Sequence, residues 1–278
     1  MPIRRPPRPR LRQLDPRRGV AAWAWACGAA SLMVAVGCQR TAGPDDRVRL
    51  QVFAASSLRE AFADAENAFE AMHPEVDVVC NFAGSQVLRT HIEQGAAVDV
   101  FASADSAQVE ALRDRGLVGP PTSFARNSLV VVVPPDNPAQ IRSFADLATA
   151  RRIVLGGPTV PIGVYTLQLL ANAEARLGGA FVAAVRGHVV SEESNVRLVR
   201  AKVELGEADA AIVYRSDATA APSLGVVAVP PELDVAATYS VAIGSQSRHS
   251  EWARRWVALL RSAELRAVLR ARGLLPVD

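Results

Sequence analysis

The sequence predicts an α/β protein in which mainly parallel sheets are flanked by helices. Three observations carry that expectation. From Val48 onward short β-rich runs alternate with amphipathic segments, the pattern of strands joined by crossover helices. Helical segments close on Gly95, Gly116 and Gly206, as helices do where the chain must turn. Half of the 278 residues are apolar, which excludes a disordered chain. That length suffices for two modest cores, since single cores stop growing near ~250–300 residues.

In chain order, Val48–Ala54 reads as a strand, and Leu58, Ala61, Phe62, Ala65, Phe69 and Met72 then recur at helical spacing up to the stop at His73-Pro74. Val76–Phe82 reads as a second strand, Ser85–Gln94 as a helix, Val98–Ala102 as a third strand and Ser106–Arg115 as a helix. Leu129–Val133 is an apolar run without polar alternation, so it requires burial on both faces or a crossing between lobes. A second α/β set follows: a short helix at Phe144–Ala150, a strand at Ile153–Leu155 and a helix from Val164 to Leu177. It continues with a strand near His188–Val190, a helix at Val196–Leu205 and a strand at Ala210–Tyr214. Tyr239–Ile243 is a further strand, and the tail carries two helices, with Trp252, Trp256, Leu259 and Leu260 on one apolar face.

The formal charge of +3 points toward nucleic acid only until the basic residues are located. Seven of the 31 Lys and Arg precede residue 38, against the single acid Asp15, which leaves 24 basic and 27 acidic residues, a balance of −3. The body therefore lacks the basic excess that phosphate neutralisation needs, and no nucleic-acid partner is expected. The arginine-rich start, the apolar run Val20–Val36 and then Gly37-Cys38 follow the order of an export signal. The apolar run is short for a spanning helix, which needs ~20 residues. Residues 1–37 are thus expected to be a signal peptide and 38–47 a polar tether. Ala35-Val36-Gly37-Cys38 resembles the lipobox of bacterial lipoproteins, in which the cysteine, here Cys38, is acylated and holds the protein to the membrane. Cys80, alone in the body, reads as a buried structural thiol.

In sheets of this kind ligands bind beyond the carboxyl ends of the strands. The stretches found there are Ala54-Ala55-Ser56-Ser57-Leu58, Ala83-Gly84-Ser85, Val160-Pro161-Ile162-Gly163 and Glu193-Ser194-Asn195-Val196. Taken singly, each is an ordinary helix cap. Converging, their free N–H groups make an anion site that needs no cation.

Together these segments resemble the molybdate-binding proteins of molybdate ABC importers. The similar stretches are VFAASSL (52–58), NFAGSQVL (81–88), AAVDVFASAD (96–105), NSLVVVVP (127–134), VPIGVY (160–165), NVRLV (195–199) and AIVYRSD (211–217), in that order over the whole body. The resemblance implies a type II periplasmic-binding-protein fold whose two α/β lobes, residues 48–127 with 233–278 and residues 128–232, close on the ligand, the chain crossing between them twice. It implies hydroxyl donors at Ser57 and Ser85, backbone N–H donors at Ser57, Ser85, Ile162 and Val196, and a phenol from Tyr214. It also implies molybdate or tungstate as ligand with no cofactor and no direct metal coordination, a permease and its ATPase as partners, and a monomer in the periplasm. Three departures stand out. Gly84 occupies a position where a small hydroxyl residue is common, Ile162 replaces a small residue, and Arg215 follows the tyrosine, where we expect it to face solvent.

Two other readings are open. A sulfate or phosphate binder of the same fold uses the same donors. A secreted serine hydrolase would use Ser57 or Ser85, but neither lies in G-x-S-x-G, and His73, His91, His188 and His249 are scattered without metal-ligand spacing, so no enzyme is expected. A ferric-ion binder needs adjacent tyrosines, and Tyr165, Tyr214 and Tyr239 are far apart in the chain.

Overall fold

A computed structural model of the chain describes residues 47–277. The expected signal segment, Cys38 and all of the tether but Arg47 lie outside the described residues. Arg47 itself is anchored, its guanidinium pairing with Asp77 at 2.7 Å and Glu70 at 3.4 Å.

The fold begins with β1 (Val48–Ala55), a short 3₁₀ turn at Ser56–Leu58 and α1 (Arg59–Met72). β2 (Val76–Ala83), α2 (Ser85–Glu93), β3 (Val100–Ser103), α3 (Ser106–Asp114) and β4 (Thr122–Asn127) follow. One residue later β5 (Leu129–Val133) opens a second sheet. A 3₁₀ segment at Phe144–Thr149 leads to β6 (Ile153–Gly156), α4 (Pro161–Leu177) and α5 (Gly179–Gly187). Next come β7 (Val189–Glu193), α6 (Val196–Glu204), β8 (Ala210–Tyr214), α7 (Arg215–Thr219) and β9 (Gly225–Ala228). The chain then returns to the first sheet through β10 (Ala237–Ile243) and ends with α8 (Ser250–Leu260), α9 (Ala263–Ala271) and β11 (Leu275–Pro276).

The strand orders are β11-β4-β10-β3-β1-β2 and β7-β6-β8-β5-β9. β1 pairs in parallel with β2 and β3, and β6 with β7 and β8. The strands that carry the chain between sheets run against these neighbours: β10 is antiparallel to β3 and β4, and β5 to β8 and β9. Both sheets are therefore mixed, where strand–helix alternation alone suggested mainly parallel ones. The two-lobed architecture is the expected one.

Register decides where the loops emerge. β1 and β2 pair from Val48↔Val76 to Ala55↔Ala83, so the Ser56–Leu58 turn and the Gly84-Ser85 helix start leave the sheet side by side. β6 and β7 end together at Gly156↔Glu193, which brings the entries of α4 and α6 together in the same way.

Alternation splits the residues of β1 between two faces. Leu50, Val52 and Ala54 face the core built with α1 and α8, while Phe53 packs with Leu88 and Ile92 of α2 and Val109 and Leu112 of α3. β5 is buried along its whole length, which accounts for its unbroken run of valines. Trp256 of α8 is fully buried, with edge contacts to Phe62 (5.6 Å) and Phe69 (5.4 Å) of α1. Cys80 is half-buried, and burial, with Glu66 and Glu70 adding to it, pushes its thiol up to about 12. No helix among the described residues is long and apolar enough to cross a membrane.

Replacing Trp256 with Ala removes the wedge between α1 and α8. The expected loss is about 3–5 kcal/mol, read as a lower urea midpoint with an unchanged slope.

Candidate anion site

The carboxyl ends of β1, β2, β6, β7 and β8 meet at a cleft of about 200 Å³, part of it open to solvent. Its walls bring together all five residues expected from sequence: Ser57, Ser85, Ile162, Val196 and Tyr214. Ser56, Gly84, Ala104, Pro161 and Asn195 complete most of the lining, which holds no Asp, Glu, Lys, Arg or His.

Each wall presents donors for a local reason. α2 starts at Ser85 behind Gly84, with no side-chain cap to take its first N–H groups. α4 has Pro161 in its first turn, so Ile162 supplies the first amide proton at that end. Asn195 caps α6 by accepting from the amides of Arg197 and Leu198, which leaves the N–H of Val196 outside the cap. Ser57 sits in a 3₁₀ turn whose entry also has no side-chain cap.

The side chains extend this donor set. Ser85 Oγ accepts from the N–H of Ala104 at 3.2 Å, so its own proton is free to point elsewhere. Ser57 Oγ lies 2.8 Å from Tyr239 Oη, behind the cleft. Tyr214 is 1 % exposed, and its phenol oxygen has no hydrogen-bond partner. Burial, reinforced by Tyr239, Tyr165 and Asp217, holds that phenol far above its ordinary pKa, so it keeps its proton.

The tyrosines that are distant in sequence form a row in space, Tyr165 to Tyr214 at 6.4 Å and Tyr214 to Tyr239 at 5.8 Å between ring centroids. Only Tyr214 lines the cleft, since Tyr165 Oη accepts from the N–H of Thr238 (3.2 Å) and Tyr239 Oη is engaged with Ser57 and Asn127. Burial pushes Tyr165 up to about 12, and a metal-binding phenolate is disfavoured throughout the row.

Of the three sequence departures, Gly84 is the most consequential. A Cβ there would stand 2.4 Å from the carbonyl oxygen of Ser194, on the opposite lobe, so the lobes meet over a bare backbone. Ile162 packs its Cγ2 against Gly156 and is 1 % exposed. Arg215 is exposed and donates from Nε to Ser128 Oγ at 3.0 Å.

Charge is held behind the lining. Arg197 of α6 reaches across to the first lobe, donating from Nε to the carbonyl of Ser56 (3.2 Å) and pairing with Glu60 of α1. Its Nε also lies 3.5 Å from Asp217 Oδ1. Burial works against the Glu60 carboxylate, but the hydrogen bond and charge of Arg197 outweigh it, and its pKa is lowered. At Asp217, fully enclosed, burial wins over Arg197 and Arg200 and raises the carboxyl to about 7. Gln86 Nε2 adds a second bridge between lobes by donating to the carbonyl of Ser194 at 2.8 Å. Sequence reading missed Tyr239, Asn127, Glu60, Arg197 and Asp217 as parts of this site. Asn127, Arg197 and Asp217 lie inside the similar stretches NSLVVVVP, NVRLV and AIVYRSD, whereas Glu60 and Tyr239 carried no hint.

Two outcomes follow. Gly84 has φ near −62°, which Ala tolerates, but the added Cβ would meet the Ser194 carbonyl, so Gly84→Ala is expected to push the lobes apart there and to lower the thermal midpoint. The same separation should weaken oxyanion binding by about tenfold or more in titration calorimetry. For Asp217, an unfolded carboxyl titrates near ~4. Between about pH 4 and about pH 7 the folded protein therefore keeps a proton that the unfolded chain has released, and the stability this gives is lost as the pH rises toward 7. Asp217→Asn should remove that slope and gain roughly 2–4 kcal/mol relative to wild type as the pH is raised from about 5 to about 8, measured by urea unfolding.

Residues 50–275 match the family model described as bacterial extracellular solute-binding protein. The molybdate-binding protein ModA of Mycobacterium tuberculosis is 39 % identical over 236 residues, covering 84 % of this chain and 87 % of that protein. Among solved structures, the periplasmic molybdate-binding protein of Azotobacter vinelandii superposes with a TM-score of 0.70 at 19 % identity, over 82 % of this chain and all of that one. The sulfate-binding protein SubI of M. tuberculosis does so with 0.71 at 19 % identity, over 84 % and 88 %. These two establish likeness of fold alone. The family match spans almost all of the described chain, and with the close relative it assigns this protein to the bacterial extracellular solute-binding proteins.

Proposed function

We propose that this protein captures molybdate or tungstate outside the cytoplasm and delivers it to an ABC importer, without catalysing a reaction. The observation that carries the reading is the composition of the cleft: three helix starts, two serine hydroxyls and an unpartnered buried phenol, with no charged side chain. Such a lining is rich in donor protons and holds no carboxylate. A fully deprotonated tetrahedral dianion offers acceptors and nothing else. Hydrogen bonds to a charged group contribute about 1.5–3 kcal/mol each, so five to seven of them offset the cost of dehydrating the ion. The close relationship to a molybdate-binding protein supports this ion over sulfate, which uses the same donors.

In this reading Ser57 and Ser85 donate from hydroxyl and amide, Ile162 and Val196 from their amides, and Tyr214 from its phenol. The lobes, 48–127 with 233–278 and 128–232, close over the ligand by hinge motion. The partners are a permease and its ATPase, and the protein acts as a monomer in the periplasm, tethered through acylated Cys38.

Thermal unfolding of the protein with molybdate, tungstate, sulfate or phosphate added separately tests the assignment. At ~100 times its dissociation constant a ligand stabilises the native state by about 2.7 kcal/mol. Molybdate and tungstate are expected to raise the midpoint and the other two to leave it unchanged. A shift with sulfate or phosphate alone would replace the ligand while keeping the class.

A further inference from the structure

Behind Ser57 lies a buried polar chain that the proposed binding role does not itself require. Tyr239 of β10 is fully buried, and Asn127, the last residue of β4, is 1 % exposed. Neither lines the cleft. Asn127 Nδ2 is 2.8 Å from Ser216 Oγ and 3.2 Å from Tyr239 Oη, and Tyr239 Oη is 2.8 Å from Ser57 Oγ.

Proton counting gives this chain a direction. The Asn127 amide has two protons, and its nitrogen faces two oxygens, so both protons are committed. The opposite orientation of the amide would point its carbonyl at both hydroxyls and leave the NH₂ where Oδ1 now lies, buried and without an acceptor. Burying two unpaired donors costs more than leaving one carbonyl unpaired, so the amide nitrogen faces Tyr239. Tyr239 Oη then accepts from Asn127, and its single proton goes to its other partner, Ser57 Oγ. Ser57 accepts there, and its own proton is left to face the cleft.

We propose that Asn127 and Tyr239 are positioning residues that lock the Ser57 hydroxyl as a donor, and so make the site selective for oxyanions that carry no proton. The inference rests on the ligand reading above and adds to it a cause of selectivity outside the ligand's contacts. Ser85, whose oxygen is occupied by the Ala104 amide, is locked in the same sense by the backbone. With both hydroxyls directed as donors, the proton that an anion such as hydrogen phosphate retains meets the donor protons of Ser57 and Ser85 instead of their oxygens. A freely rotating serine would accept that proton and lose the distinction.

The test is a double-mutant cycle on the full protein, with molybdate and phosphate binding measured by calorimetry near neutral pH and folding checked by thermal unfolding. Tyr239→Phe is expected to weaken molybdate binding by about five- to tenfold and to shift the molybdate-to-phosphate affinity ratio toward phosphate. In a Ser57→Ala background the same change is expected to have almost no further effect, because the hydroxyl it orients is gone. Asn127→Leu should reproduce the altered ratio, and should add nothing once Tyr239 is Phe. If Asn127→Leu does not fold, the Tyr239 cycle decides alone. Additive losses in the cycle, or an unchanged anion ratio, overturn the relay while leaving the ligand assignment intact. Wild-type protein that binds neither anion overturns both.

Discussion

The amides of a helix's first turn have no acceptor within the helix, and that shortage organises this molecule. Water satisfies them on a surface, but in a cleft between lobes they must find another partner or remain costly. Here α2, α4 and α6 all begin at the ends of parallel strands, and the pairing of β1 with β2 and of β6 with β7 up to their last residues makes neighbouring starts emerge together. The unmet demand of several helices is thereby concentrated at one point. In the proposed binding role an acceptor-only ligand satisfies all of it at once, against a lining without a charged side chain.

Keeping the lining neutral requires that charge be held elsewhere. Arg197 is the nearest cation in sequence to the donor Val196, and its guanidinium is drawn away by Glu60, Asp217 and the Ser56 carbonyl. The same contacts tie α6 of one lobe to the turn that carries Ser56 and Ser57 on the other. An unpaired arginine in the cleft would bind most anions strongly and discriminate little, whereas neutral dipoles fixed in direction discriminate by proton content and geometry. Gly84 serves the same end sterically, since its missing side chain lets the backbone of the two lobes come together beside the cleft.

Much of this was legible in the sequence because it is local. Strands such as Val48–Ala55 and Ala210–Tyr214 announce themselves by composition, and the helix starts by Gly84-Ser85, Pro161 and Asn195. What escaped depends on long-range pairing. β9 and β11 are short edge strands whose pairing with β5 and β4 leaves little imprint on four and two residues. α5 follows α4 with only Gly178 between, at positive φ, and the helix expected to end at Leu177 accounts for α4 alone and leaves α5 unannounced. α7 begins directly after β8 and spans five residues, too few for a period to show. β10 turns the first sheet mixed and β5 the second, a fact of topology rather than composition. In the site, Tyr239 looked like an ordinary strand residue, and its link to Ser57 joins positions 182 residues apart. Tyr165, Tyr214 and Tyr239 looked isolated for the same reason and yet stack in one row.

That row also bears on how binding energy arises. A series of ring contacts, edge-to-face except for the tilted Phe62–Phe124 pair, runs from Trp256 through Phe62, Phe124 and Tyr239 to Tyr214 and Tyr165, linking the first lobe's core to the second lobe's cleft wall. Packing of this kind fixes ring positions closely, so the Tyr214 phenol cannot swing out to find water. The phenol makes no hydrogen bond to another protein group, so its proton is left available to the cleft. In the proposed binding role that proton is given to the oxyanion, and the aromatic series holds the ring in place without spending a hydrogen bond on a neighbouring residue.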